Sequence, residues 1–340
     1  MNDSPAASVP VLELRSVHVT YKLPGPPWSR RPRRLEAVAG VDLTLQAGRT
    51  VAIVGESGCG KSTVAQAIVG LLPPSAGTVL VAGRDVTDRS RAAVAGLRRT
   101  VQMVFQDPYA ALNPWMTVSQ LISEAWRIHD GLVPRGQRDA EVGRLLGLVG
   151  LSQRHARMRP RQLSGGQRQR VCIARALAVR PRLIVCDEAV SALDVSTRAQ
   201  IINLLCDIQA ETGVSYVFVS HDVGAVSHMA DEMAVMYLGQ IVEYGPAREL
   251  LAAPAHPYTQ ALMSAAPSVD DWRGGRPEEI VLSGDVPSPL APPSGCRFRT
   301  RCFKTADICA RTPPPLAADR AGHPVACHFA EADATFGAAR

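Results

Sequence analysis

The chain has no apolar run that approaches the roughly 18 residues needed to cross a bilayer. Its first residues, Met1-Asn2-Asp3-Ser4-Pro5, contain no signal-peptide core. Both lacks predict a soluble protein whose membrane role, if it has one, comes through partners. Aromatic residues make up only 5% of the 340 positions and do not interleave with basic residues. Zinc-finger spacing is missing as well, so a net charge of +6 is not read as a nucleic-acid signal. Phosphate ligands and an anionic membrane surface account for that charge more simply. The densest basic cluster, Arg30, Arg31, Arg33 and Arg34, reads as a solvated loop or, second, as a contact for lipid headgroups. What is present is apolar bulk: 46% hydrophobic residues, enough for one sizeable domain plus a smaller one.

The most informative segment is Gly55-Glu56-Ser57-Gly58-Cys59-Gly60-Lys61-Ser62. It follows the apolar run Val51-Ala52-Ile53-Val54 and precedes a helical pattern that starts at Thr63 and is stopped by Gly70 and Pro73. Strand, glycine loop and helix are the context a phosphate-binding loop requires. Glycines let successive N–H groups turn inward as an anion nest, and the helix N-terminus adds partial positive charge. Lys61 would reach the β- and γ-phosphates, and the Ser62 hydroxyl would ligate Mg²⁺. A second segment of this kind, Leu163-Ser164-Gly165-Gly166-Gln167, opens its own helix far downstream.

A nucleotide site also needs a carboxylate for the metal and a base for water. Leu183-Ile184-Val185-Cys186-Asp187-Glu188 carries both behind a non-alternating apolar run, the pattern of a parallel strand buried on both faces. Such a strand delivers its acids at the carboxyl edge of the sheet, where open α/β folds bind ligands. Asp187 would hold Mg²⁺ and Glu188 would take the proton of the attacking water. Ser215-Tyr216-Val217-Phe218-Val219-Ser220 ends in His221, a candidate γ-phosphate sensor, and Val101-Gln102-Met103-Val104-Phe105 ends in Gln106, a candidate ligand of Mg²⁺ or the lytic water.

These motifs, in this order, resemble the nucleotide-binding subunit of an ATP-binding-cassette (ABC) transporter. Gly55 to Ser62 resembles the family's Walker A, Gln106 its Q-loop, Leu163 to Gln167 its signature, Leu183 to Glu188 its Walker B, Ser191-Ala192-Leu193-Asp194 its D-loop and His221 its switch histidine. The likeness spans about residues 10–265. It implies an α/β P-loop fold with a RecA-like core, an antiparallel β subdomain and a helical subdomain at about 107–165, followed by a small irregular Cys-rich extension over 266–340. It also implies a head-to-tail dimer in which Ser164 and Gly166 of one protomer close over ATP held by the other, with Asp194 near the seam. Tyr21 is the candidate adenine-stacking aromatic, its other reading being an exposed strand residue. The chain departs from the family at Ala189, where proline is common; acid–base chemistry does not need that ring, and a less rigid loop is the expected consequence.

Two apolar patterns, Val118, Leu121, Ile122, Ala125 and Val142, Leu145, Leu146, Val149, each mark one face of a helix. In the family this region, with the Q-loop, receives a coupling helix from the membrane subunit. Ala234 to Tyr244 reads as a hairpin. His256-Pro257-Tyr258-Thr259-Gln260-Ala261-Leu262, together with Phe105 to Pro114, is similar to the ATPases of oligopeptide, dipeptide and nickel importers. The resemblance therefore implies a peripheral ATPase on the cytoplasmic face of the membrane. Its expected partners are a second ATPase subunit, a heterodimer being favoured, two transmembrane permeases and, through them, an extracytoplasmic solute-binding protein. The rival is a non-transport ABC ATPase of DNA repair, chromosome organisation or translation. The absence of sustained heptads between the two loops and the presence of a single cassette stand against it.

The stretch from Pro267 to Pro293 reads as an irregular, extended tail. Four of eight cysteines follow, Cys296, Cys302, Cys309 and Cys327, with five, six and seventeen residues between them. Cys59, Cys172, Cys186 and Cys206 read as small loop or core residues. The tail spacing lacks the close knuckles of structural zinc sites, though four thiolates with His323 and His328 nearby keep zinc open. In peptide-importer ATPases with similar tails, such a group binds a [4Fe-4S] cluster, so the resemblance implies a cluster here, with free thiols as the third reading. Arg297, Arg299, Arg301 and Lys304 are expected to lower the thiol pKa values and offset cluster charge.

Overall fold

Five strands share a parallel arrangement because each is apolar on both faces. In β3 (Thr50–Val54), Val51 and Ile53 face one core while Ala52 and Val54 face another. β8 (Ser215–Ser220) and β7 (Leu183–Asp187) divide their side chains in the same way. The computed structural model describes residues 9–24, 33–88, 90–129, 131–265, 279–318 and 322–333. Arg30, Arg31 and the first part of the Pro- and Gly-rich tail, residues 266–278, lie outside them.

Two sheets are present among the described residues. The first is antiparallel, in the order β2 (Arg33–Leu45), β1 (Leu12–Leu23), β4 (Ala76–Val81), β5 (Arg84–Asp85). The second has the order β10-β9-β3-β8-β7-β6, with β6 (Val101–Val104), β9 (Glu232–Tyr237) and β10 (Gln240–Pro246). β6, β7, β8, β3 and β9 run parallel, and β10 closes an antiparallel hairpin with β9, as expected from sequence. That hairpin turns through Leu238 and Gly239, both at positive φ (41° and 84°), a backbone twist that suits a two-residue loop.

The register puts the loops after β3, β7, β8 and β6 on one edge. Val54 pairs with Ser220, Asp187 with Val219 and Val104 with Cys186. Helix α1 (Lys61–Ile68) follows β3, and α2 (Arg91–Thr100) leads into β6. The segment between β6 and β7 is helical: α3 (Pro108–Ala111), α4 (Val118–Ser123), α5 (Ala125–Ile128), α6 (Arg138–Leu148) and α7 (Gly165–Leu177). Val118, Leu121, Ile122, Val142, Leu145 and Leu146 are buried on the faces expected, and Thr117 with Gln120 forms a capping box that starts α4. Trp126, fully buried, donates its indole N–H to Ala178 O at 2.8 Å and so ties this subdomain to the end of α7. α8 (Val195–Thr212), α9 (Val223–Ser227), α10 (Ala247–Ala252), α11 (Pro257–Ser264) and the tail helix α12 (Asp307–Arg311) complete the order.

The part of the tail around Phe298 and Ala326 is packed on the core. Phe298, 1% exposed, sits against Tyr237 and Tyr258 with ring centroids 5.2 and 5.4 Å away. Ala326 N–H donates to Val242 O of β10 at 2.8 Å. Glu243, wholly buried, accepts from Ala255 N–H, His256 N–H and His323 Nε2, which satisfies its carboxylate on three sides.

Candidate functional site

The loop from Gly55 to Gly60 can take its shape only with glycine at its two ends. A Cβ at Gly55 (φ 152°) would lie 2.2 Å from Met236 O, and one at Gly60 (φ 109°) 2.3 Å from Ala37 O. Gly58 has open space around it but φ of 80°, so its need for glycine is conformational. Helix α1 starts behind Gly60 with no side-chain cap, which leaves its first N–H groups to an anion. Lys61, 4% exposed, folds back over the loop: its ammonium donates to Gly55 O at 2.8 Å and Glu56 O at 2.9 Å. Cys59 is buried beneath it, and burial raises its thiol pKa. Ser62, exposed, and Thr63, half-buried, follow on the first turn.

Ser62 Oγ donates to Asp187 Oδ1 at 2.9 Å, joining the end of β7 to the start of α1. Burial raises the Asp187 pKa, with Glu188 adding to the rise, while the Ser62 hydrogen bond and Lys61 oppose it. Adjacent hard oxygens of hydroxyl and carboxylate suit Mg²⁺. Glu188 sits in the left-handed region at φ 49°, a strained setting for a non-glycine residue. Its N–H is held by Val219 O, and its carbonyl accepts from Ser191 N–H and Ser191 Oγ at 3.1 and 2.9 Å. Ala189 beside it is buried, so the loop is braced by Ser191 where a proline ring is absent. Glu188 Oε1 lies 3.6 Å from Nδ1 of the half-exposed His221. Gln106 is exposed, two residues past β6 at the sheet's end.

Ser164, Gly165, Gly166 and Gln167 form the N-terminus of α7 and a reciprocal cap. Ser164 Oγ accepts from Gln167 N–H, and Gln167 Oε1 accepts from Ser164 N–H at 3.0 Å. The serine hydroxyl still has its own proton to donate. A Cβ at Gly166 would lie 2.6 Å from Thr197 Cγ2, so this segment packs on the start of α8. Asp194 caps that helix, accepting from Thr197 N–H and Ser196 Oγ, and these bonds pull its pKa down to about 2. Among the described residues no hydrogen bond or ion pair joins Ser164–Gln167 to the Gly55–Ser62 loop. Tyr21 is half-buried on β1 opposite Leu35, close in register to Ala37, whose carbonyl faces Gly60.

Some residues of the site were not legible in the sequence. Arg198 on α8 pairs with Asp222, next to His221, and reaches Leu193 O of the D-loop segment. Tyr258 accepts from Glu56 N–H at 2.8 Å, and Arg301 bonds the Glu56 carboxylate at 2.8 Å. Both contacts bridge more than 200 positions, at separations of 202 and 245, which no local pattern reports.

The basic residues of the tail correct the expectation about thiol pKa. Arg297 pairs with Glu36, Arg301 with Glu56, Arg299 with Ser294 O and Lys304 with Glu331. Burial instead dominates: Cys296 and Cys327 are raised, and Cys302 is pushed up to about 11. Lys304 opposes the rise at Cys302 through its backbone N–H and at Cys327 through its charge. At Cys296, Cys302 and Cys327 the charge of other tail thiols adds to the rise, and Cys302 and Cys327 accept backbone N–H bonds at sulfur from Lys304 and Phe329. Among the described residues no three His, Cys, Asp or Glu side chains are gathered to hold a metal ion.

A parallel sheet with a glycine loop, buried lysine, serine–carboxylate pair and adjacent glutamate at one edge defines a P-loop nucleotide triphosphatase. Residues 38–191 match the ABC transporter family, and residues 242–309 match the oligopeptide/dipeptide transporter C-terminal region. The chain is 50% identical over 294 residues to the probable peptide ABC transporter ATP-binding protein y4tS of Sinorhizobium fredii, covering 86% of this chain and 82% of that one. It is 43% identical over 320 residues to the oligopeptide transport ATP-binding protein AppF of Bacillus subtilis, covering 94% and 97%. A solved dimer of the ATP-binding cassette MJ0796, in a post-hydrolysis state with ADP and Pi, superposes with a TM-score of 0.61 at 30% identity over 69% of this chain and 98% of that one. The chain belongs to the ABC transporter ATP-binding family, and its activity is ATP hydrolysis.

Proposed function

We propose that this chain is the ATP-hydrolysing motor of a peptide importer, working as a dimer whose two ATP sites are each completed by the partner protomer. The observation that carries the dimer reading is the split within one chain: Lys61, Ser62, Asp187, Glu188 and His221 collect at the sheet edge, while the capped Ser164–Gln167 segment contacts the D-loop helix and not the phosphate loop. The family match of residues 242–309 and the peptide-transport names of the relatives support the substrate class.

In this reading the Gly55–Ser62 nest and α1 take the phosphates, and Lys61 trades its two carbonyl partners for phosphate oxygens. Ser62 and Asp187, with Gln106 from the neighbouring loop, would hold Mg²⁺, which neutralises phosphate charge when bound. Glu188 accepts the proton of the attacking water. His221, within reach of that carboxylate, senses the γ-phosphate. Ser164 donates its hydroxyl to the partner's nucleotide, Gly165, Gly166 and Gln167 add the helix N-terminus, and Asp194 ties the two sites. Tyr21 stacks on adenine. ATP thereby biases an open–closed equilibrium through contacts made only in the closed dimer. Residues 10–265 form the ATPase domain and 266–340 the extension, that boundary falling outside the described residues.

The working pair is a heterodimer with a related ATPase, bound to two permeases at the cytoplasmic face and served by a solute-binding protein. Among the described residues no helix is long and apolar enough to span a membrane, which is consistent with attachment through those permeases. The four tail thiols would hold a [4Fe-4S] cluster, a reading supported by the family likeness of the tail and by the N–H bonds to two of the sulfurs, with zinc as the alternative. Transport of nickel or another small solute is the second reading, which rests on family likeness alone. The test is a pair of variants. Glu188→Gln should trap an ATP-dependent dimer by gel filtration, and Ser164→Ala added to it should abolish the trap; trapping that ignores Ser164 would end the split-site reading.

A further inference from the structure

Glu56 is the one carboxylate of the phosphate loop, and every polar group it owns is spoken for. Its N–H goes to the Tyr258 hydroxyl at 2.8 Å, its carbonyl accepts from Lys61 at 2.9 Å, and its carboxylate accepts from Arg301 at 2.8 Å. Arg301 belongs to the tail, between Cys296 and Cys302, and its side chain is only 9% exposed. The same tail segment reaches the loop by a second route. Arg297 bonds Leu238 O and Glu36, and the neighbouring Gly239 N–H bonds Cys59 O at 2.8 Å. Phe298 fills the space between, against Tyr237 and Tyr258.

A loop built to cradle a polyphosphate gains nothing from a free carboxylate, because like charges a few ångströms apart repel in a partly desolvated site. The guanidinium of Arg301, bonded to that carboxylate at 2.8 Å, offsets the charge. We propose that Arg301 is a positioning residue for the nucleotide site: from the four-cysteine tail it fixes and neutralises Glu56, so that ATP affinity depends on a contact the tail supplies. This rests on the reading that the Gly55–Ser62 loop binds ATP. Arg301 bonds neither Asp187, Glu188 nor His221, so its contribution falls on binding and not on the chemical step.

The test uses the full chain and a fluorescent ATP analogue, with turnover at saturating ATP measured in parallel. Arg301→Met should weaken nucleotide binding about tenfold, the scale of one uncompensated charge at this range, and leave kcat within about twofold. Arg301→Lys should recover part of the loss. In a Glu56→Gln background, where no charge remains to be cancelled, Arg301→Met should change affinity by less than about twofold. Wild-type affinity in Arg301→Met, or an equal loss with and without Glu56, would overturn the proposal. If Arg301→Met does not fold, Arg301→Lys compared in the two backgrounds reads the same coupling. Lys61→Ala separates the two levels: normal binding there sinks the loop reading itself, whereas lost binding there with an unaffected Arg301→Met sinks only the brace.

Discussion

Replacing Lys61 by methionine removes an ammonium and keeps most of the buried stem. In the nucleotide-free loop this ammonium is held by Gly55 O and Glu56 O, at 2.8 and 2.9 Å, and is 4% exposed. A phosphate oxygen at about 3 Å attracts it by roughly 5 kcal/mol at an effective dielectric near 20. The carbonyl bonds surrendered on binding offset part of that, since hydrogen bonds to charged groups are worth about 1.5–3 kcal/mol each. With each of the two bonds at the low end of that range, a net loss of about 2 kcal/mol follows, or roughly 30-fold in ATP affinity. Equilibrium titration with a fluorescent analogue at fixed salt reads it. The variant also strands two carbonyls in a buried loop, so its nucleotide-free form should melt earlier by an amount equivalent to about 1–3 kcal/mol. Affinity within twofold of the parent would refute the reasoning, because it would mean that the phosphates never meet this ammonium.

Two further outcomes follow from the tail and its anchor. His256, 1% exposed, has its pKa depressed to about 4 by burial, and Glu243 only partly opposes this. The unfolded chain therefore takes up the proton first: stability from this group is intact above about pH 6.5 and falls by up to about 3 kcal/mol as pH drops toward 4. His256→Asn, which can still cap α11, should flatten the slope of urea midpoint between pH 7 and 4.5, and an unchanged slope would discard the assignment. Protein purified without oxygen should contain iron and sulfide in equal amounts with broad visible absorbance; a colourless sample with stoichiometric zinc would rule out the cluster.

The strands, the glycine loop and the acidic strand end were legible in the sequence because each is a local matter. Val51 to Val54, Leu183 to Asp187 and Ser215 to Ser220 are apolar on both faces, and only a parallel sheet covered on both sides accepts such runs. Gly55 and Gly60 mark close backbone approaches that any side chain would block. The helix faces of α4 and α6 followed from periodicity in the same way. What the sequence could not show was where long polar side chains spend their charge. The tail arginines, placed by sequence beside the cysteines, turn instead to Glu36 and Glu56, and burial then raises the thiols that those charges were expected to lower. Arg198 likewise meets Asp222 only because α8 and the end of β8 pack together. Backbone periodicity is written within a few residues, whereas the partner of a flexible charged side chain is chosen by whichever opposite charge the completed fold brings within reach.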